Sequence, residues 1–178
     1  MEPIFIDFEA SSIQGYPVQV AYGSCEEDLK CFLIKPLEVW EKDDYLWDFN
    51  AQDIHGFSLN YLREYGLNAV SVAKEVSNDL QGKTIYSDSK VDLNWLYYLL
   101  DDVADITGET YPAPKHELIQ HLIWQEKIDP YLSVKAQMMA KEKFLSRGLE
   151  YHKADNDTLL HIWTWKALQE LLKEKNSV

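Results

Sequence analysis

Cysteine is scarce in this chain of 178 residues: Cys25 and Cys31 are the only two. They flank the acidic turn Glu26-Glu27-Asp28, and because a lone pair makes no disulfide framework, free thiols are expected. The start, Met1-Glu2-Pro3, is acidic and runs straight into an apolar stretch, so it lacks the basic head of a secretory leader. No apolar run approaches the roughly 20 residues needed to cross a bilayer. A soluble, cytoplasmic protein with no membrane partner is expected. Positive charge is also short, with 17 Lys and Arg against 30 Asp and Glu and a formal net charge of -13. That balance disfavours general adhesion to nucleic acid or anionic membrane, and leaves room only for a local site. Repeats, low-complexity tracts and linkers are lacking too. With 46% apolar residues, the chain suits a single domain over 1–178 with a sizeable core. Composition says nothing of oligomeric state.

What is present begins with Ile4-Phe5-Ile6-Asp7-Phe8-Glu9, an apolar strand ending in Asp-x-Glu. Side chains alternate along a strand, so Asp7 and Glu9 share a face, about 7 Å apart. Facing carboxylates suit a hard divalent cation, while acids turned to solvent at a strand end are the plainer alternative. After a polar turn over 10–15, Pro17–Tyr22 and Cys31–Ile34 read as two further strands of an antiparallel meander. Residues 36–56 read as a long surface loop with at most a short helix. Ser58 is placed to cap a short helix through Tyr65, and Asn68 a second to about Leu80. Thr84–Tyr86 is a short buried strand, followed by a helix with the stripe Trp95, Leu96, Leu99, Leu100 and Val103. Asp88 stands at the N-cap position, and Asp92 heads the stripe, facing the sheet edge or simply favouring the helix dipole. His116–Trp124 is compatible with strand or helix. Asp129-Pro130 opens a helix to about Leu145, and a last helix from about Asp155 carries Leu160, Thr164, Leu168 and Leu171 on one face, with Asp157 a turn ahead.

The order implies an α/β fold in which Asp7, Glu9, Asp92 and Asp157 converge, with His152 on the turn before the last helix. Four carboxylates in one dry site repel each other unless cations neutralise them. Two Mg²⁺ or Mn²⁺ ions about 3.5–4 Å apart would activate a water against a phosphodiester. His152 would take the proton.

Asp7-x-Glu9, Ser87-Asp88-x-x-Val91-Asp92 and His152-x-x-x-x-Asp157 resemble the three motifs of the DEDDh, DnaQ-like 3′-5′ exonucleases, in the same order and over nearly the whole chain. The resemblance implies a ribonuclease H-like fold: a mixed central sheet with an antiparallel three-strand meander, then strand-helix units, with helices on both faces. It implies two divalent metal ions held by Asp7, Glu9, Asp92 and Asp157, with His152 as general base. Ile54-His55-Gly56 resembles the family segment that seats the 3′-terminal nucleotide, and Ile13 would be the apolar wedge against its base. The departures are Ala10-Ser11-Ser12 in place of Thr-Thr-Gly, and Ser87-Asp88 in place of His-Asn, which adds an acid near the substrate path. The loop before His55 carries Trp40, Tyr45, Trp47 and Phe49, available for base stacking or for packing.

The activity expected is 3′-5′ exonucleolytic release of nucleoside 5′-monophosphates from single-stranded or short RNA or DNA 3′ ends. A silent interaction module of the same fold and a small-phosphodiester hydrolase are the alternatives. Between Ser133 and Lys153, Lys135, Lys141, Lys143, Arg147 and Lys153 outnumber Glu142 and Glu150. Lys143 and Arg147 are thus candidates to guide phosphates to the site, or a solvated helix face.

Overall fold

Alternation along the first strand sets the layering of the molecule. In β1 (Ile4–Ala10), Ile6 and Phe8 enter one core while Phe5 enters another on the opposite face, where Asp7 and Glu9 also point. The computed structural model describes residues 2–176. β2 (Pro17–Gly23) pairs antiparallel to β1, with Phe8 opposite Val20 and Glu9 opposite Gln19, and β3 (Lys30–Lys35) continues the meander. β4 (Leu67–Asn68) adds a parallel edge beyond β3. On the other side of β1, β5 (Thr84–Ser87) and β6 (Lys115–Leu118) are parallel. The order β4-β3-β2-β1-β5-β6 makes β1 an interior strand.

Helices cover both faces. α3 (Ala69–Leu80) and α4 (Val91–Thr107) bring Val72, Val76, Leu96, Leu99 and Val103 onto Ile6, Phe8, Val18 and Val20. The opposite face receives α5 (Ile119–Gln125), α6 (Pro130–Ser146) and α7 (Ala154–Asn176), through Phe5, Leu122, Phe144, Ile162 and Trp163. A second seam between α6 and α7 buries Ala136, Leu168 and Leu171. No helix among the described residues is long and apolar enough to cross a membrane. Cys25 and Cys31 are free thiols.

Three sequence expectations are refined. Residues 36–56 carry more helix than the weak periodicity suggested: one-turn 3-10 helices at Trp40–Lys42 and Asp44–Leu46, then α1 (Phe49–His55) capped by Asp48. The reason is packing, since Trp40 is 1% exposed, stacks on Tyr16 at 5.3 Å and donates from Nε1 to Asp102 Oδ2 at 2.5 Å. Residues 116–124 are both strand and helix, dividing after Leu118, where pairing with β5 ends. Asp88 does not cap α4: Lys90 occupies that position, and Ser89 Oγ takes the Val91 amide instead. Ser58 and Asn68 cap α2 (Leu59–Tyr65) and α3 where expected.

The start of α7 is fixed by a residue far away in sequence. The amide of Ala154 donates to Gln19 Oε1 at 2.8 Å, and Thr158 Oγ1 donates to the Ala21 carbonyl at 3.3 Å. An orphan helix-terminal amide is thereby satisfied from β2 rather than from a local cap. Gln19→Ala leaves the Ala154 amide buried and unpartnered, and is expected to cost about 1–3 kcal/mol. Chemical denaturation reads this directly, and unchanged stability would show that water replaces the bond.

Candidate metal centre

Each acid is placed by a different element. Asp7 and Glu9 come from β1. β5 pairs with β1 only at Ile4 and Phe5, so beyond that point the edge of β1 is open, and Asp92 Oδ1 accepts the Phe8 amide there at 3.2 Å. Asp92 is 3% exposed, and its Oδ2 is buried with no hydrogen-bond partner. Asp157, in the first turn of α7, accepts the His152 amide on Oδ2 at 2.8 Å. His152 is exposed and holds a left-handed backbone, φ 60, in the turn leading into that helix.

The ligand atoms of Glu9, His152 and Asp157 lie within 4.8 Å of one another. A second group, Asp7, Asp88 and His161, meets the same limit. His161 and the placement of Asp88 beside it were missed by the sequence reading. A signal was available, because Asp157 and His161 are four residues apart on one helix and therefore share a face.

The electrostatics fit a cation site. Burial raises the Asp7 carboxyl well above the usual range, and Asp92, Asp157, Glu9 and Asp88 push it further. Glu9 is raised to about 8 by burial and then by Asp157, with Lys153 opposing. Asp92 is raised to about 7 by burial and Asp88, and Asp157 is raised by burial against the pull of the His152 amide. Such carboxyls hold protons or bind a positive ion. The unpartnered Asp92 oxygen and the carboxylates of Asp7, Glu9 and Asp157 suit a hard divalent cation, with His152 and His161 each within ligand range of two acids.

His55 is buried, and burial followed by the nearby Lys153 ammonium lowers it to about 4. Its Nδ1 accepts the Phe57 amide at 3.0 Å, so the ring is neutral with a fixed tautomer. Lys153 Nζ donates to the His55 carbonyl and lies 4.5 Å over the Phe57 ring. Gly56 has φ 76, and a Cβ there would meet Lys153 Nζ at 3.1 Å, so backbone and space both favour glycine. Ile13 stands 78% exposed on the turn after β1.

Lys143 and Arg147 are not brought to the acids. Both pair with Glu26 in the β2–β3 turn, and they lie 4.1 and 4.8 Å over the Trp163 ring. A charge count along 133–153 pointed to these two as phosphate guides, whereas in the fold they face Glu26 and Trp163. Lys153 is the member of the stretch whose charge reaches Glu9, and Lys141 lines the cleft that holds Asp88 and His161.

Neither a protein-family model nor a curated protein sequence matches the chain. Solved structures do. Escherichia coli exonuclease I in complex with a dA16 oligonucleotide matches with a TM-score of 0.60 and 17% identity, over 94% of this chain and 40% of that one. Exonuclease I from Methylocaldum szegediense matches at 0.57 and 14%, again over 94% and 40%. The fold is ribonuclease H-like. Within that ribonuclease H-like framework the chain spans about two fifths of the length of these exonuclease I chains. At these identities the likeness is one of fold.

In chelator, the cluster is expected to make stability fall as pH rises. Glu9 goes from an ordinary 4.5 to about 8 on folding, and Asp92 from 3.8 to about 7. Between those limits the folded state binds more protons than the unfolded one, so stability present near pH 4.5 is lost as pH climbs through 7 to 8. Melting curves with and without Mn²⁺ test this. The ion should raise the melting temperature most at the alkaline end, and a pH-independent gap would contradict the assignment.

Proposed function

We propose that this chain is a metal-dependent 3′-5′ exonuclease acting on single-stranded or short RNA or DNA and releasing nucleoside 5′-monophosphates. The observation that carries the reading is the meeting of Asp7, Glu9, Asp92, Asp157 and His152 from β1, α4 and the start of α7, with a buried carboxylate oxygen left unpartnered. A scaffold has no use for such a cluster. The exonuclease I neighbours, one of them in complex with an oligonucleotide, support the substrate class.

Asp7, Glu9, Asp92 and Asp157 are assigned as the residues that would hold two Mg²⁺ or Mn²⁺ ions. Bound there, the ions would lower the pKa of the attacking water and offset charge on the leaving oxygen. The protein's own groups supply the remainder. His152, exposed to the solvent side and tethered by its amide to Asp157, is assigned to accept the proton of the water. His55 and Gly56, braced by Lys153, are assigned to seat the terminal nucleotide, with Ile13 against its base. Lys141 and Lys153 take over the guiding role first given to Lys143 and Arg147.

A 5′-labelled single-stranded oligonucleotide incubated with Mn²⁺ should give a ladder shortening from the 3′ end, abolished by chelator. No product from either RNA or DNA would overturn the proposal. Asp7→Asn should nearly abolish turnover while raising the melting temperature in chelator, since it removes one member of a repelling cluster.

His152→Ala should lower the rate by roughly 10² to 10⁴ without changing Mn²⁺ affinity. Its ring also lies within ligand range of Glu9 and Asp157. Calorimetry therefore decides the role: a large loss of affinity would make it a ligand rather than a base.

A further inference from the structure

The acids and histidine assigned above leave two nearby groups unused, Asp88 and His161. His161 sits in α7 one turn beyond Asp157, and its Nε2 is fully buried without any hydrogen-bond partner. A buried imidazole nitrogen normally finds a partner, because leaving it bare forfeits its hydrogen bond with water. Here the groups close at hand are carboxylates: ligand atoms of Asp7, Asp88 and His161 all lie within 4.8 Å of one another. The position of Asp88 has its own oddity, since it stands where a helix cap is expected and leaves that task to Ser89.

A route from solvent exists. A cleft of about 590 Å³ between α5, α6 and α7 is lined mainly by apolar residues such as Ile119, Ile123 and Leu168, and both Asp88 and His161 are on its wall. The site is thus walled by apolar side chains yet open to a small ion.

We propose that Asp7, Asp88 and His161 form a mixed carboxylate-imidazole site that selects a first-row transition-metal ion over Mg²⁺. Imidazole favours such metals, whereas Mg²⁺ favours oxygen ligands alone. Asp7 is also one of the four acids assigned above, so the inference rests on reading the acid cluster as a metal centre. The two ions of that centre then differ in setting, one beside Glu9 and Asp157, where the His152 ring within range is exposed, and the other at the buried nitrogen of His161. Metal choice in this chain is then set by a residue of α7 that stands outside the group formed by Glu9, His152 and Asp157.

Co²⁺ alone is the probe, added without nucleic acid to the full chain and followed by calorimetry and by visible absorption of the bound ion. Wild type should bind Co²⁺ more tightly than Mg²⁺ at one site. His161→Ala and Asp88→Asn should each weaken that site at least tenfold, on the order of the loss seen when a metal's supporting residues are removed. Mg²⁺ binding should stay unchanged in His161→Ala. A hyperfine-shifted imidazole signal in the NMR spectrum of the Co²⁺-loaded protein should survive His152→Ala and vanish in His161→Ala. That readout does not depend on activity. Unchanged Co²⁺ affinity in a folded His161→Ala, with binding lost in Glu9→Gln, would overturn this site and leave the exonuclease proposal standing. Absence of any Co²⁺ or Mg²⁺ binding by wild type would overturn both.

Discussion

Mutual repulsion among the carboxyl groups around Asp7 is the constraint to which the neighbouring structure answers. At about 5 Å and an effective dielectric of about 20, one pair of like charges costs roughly 3 kcal/mol. A domain's whole stability is about 5–15 kcal/mol, so several such pairs cannot persist bare. Asp7 and Glu9 are accordingly raised well above the ordinary carboxyl range, and the Phe8 and His152 amides each offset part of the charge on Asp92 and Asp157. Protons or cations must supply what remains. Every residue assigned to the centre follows from that requirement.

Repelling groups stay together only if their supports are stiff. β1 is an interior strand, held by β2 on one side and β5 on the other. The end of α4 is tied to it by Asp92 itself, through the Phe8 amide. α7 is tied to β2 by Gln19 and Thr158, which fixes the turn that carries Asp157. The candidate acids therefore double as structural contacts, and the free oxygen of Asp92 sets that residue apart from a merely hydrogen-bonded core acid.

The strands, the helix faces and the four principal acids were legible because they rest on local period: alternation at Asp7 and Glu9, and 3.6-residue phase at Asp92 and Asp157. What the sequence hid was either non-local or azimuthal. Gln19 caps α7 across 135 positions, a contact no window can register. Trp40 and its loop became helical turns because Tyr16, Tyr98 and Asp102 offered a surface to pack on. His161 lies outside the three motifs, and only the fold shows its bare nitrogen beside Asp7 and Asp88. The turn of Lys143 and Arg147 toward Glu26 was hidden for the converse reason, since a count of charges along a segment carries no direction.

That loss of direction changes how a polyanion would be met. The chain carries a formal net charge of -13, and two of its most promising cations are engaged by Glu26. Long-range attraction is therefore weak on the proposed reading, and contact has to be made at short range. On that same reading, the segments that follow β1 offer such contacts. The turn bearing Ile13 is tied to the following loop through Ser11 Oγ to the Leu46 carbonyl and the Asp48 amide to the Ser11 carbonyl. Those bonds hold Tyr45 and Phe49, 95% and 71% exposed, on the segments joined to the same turn. Exposed rings accept any base by stacking, at about 1–3 kcal/mol each, and do so without reading its identity. A strand end with unpaired bases satisfies such a surface, whereas a duplex keeps its bases stacked on one another. Preference for single-stranded ends on this reading thus comes from the apolar rim, and the acidity of the whole limits how far from that rim a strand is held.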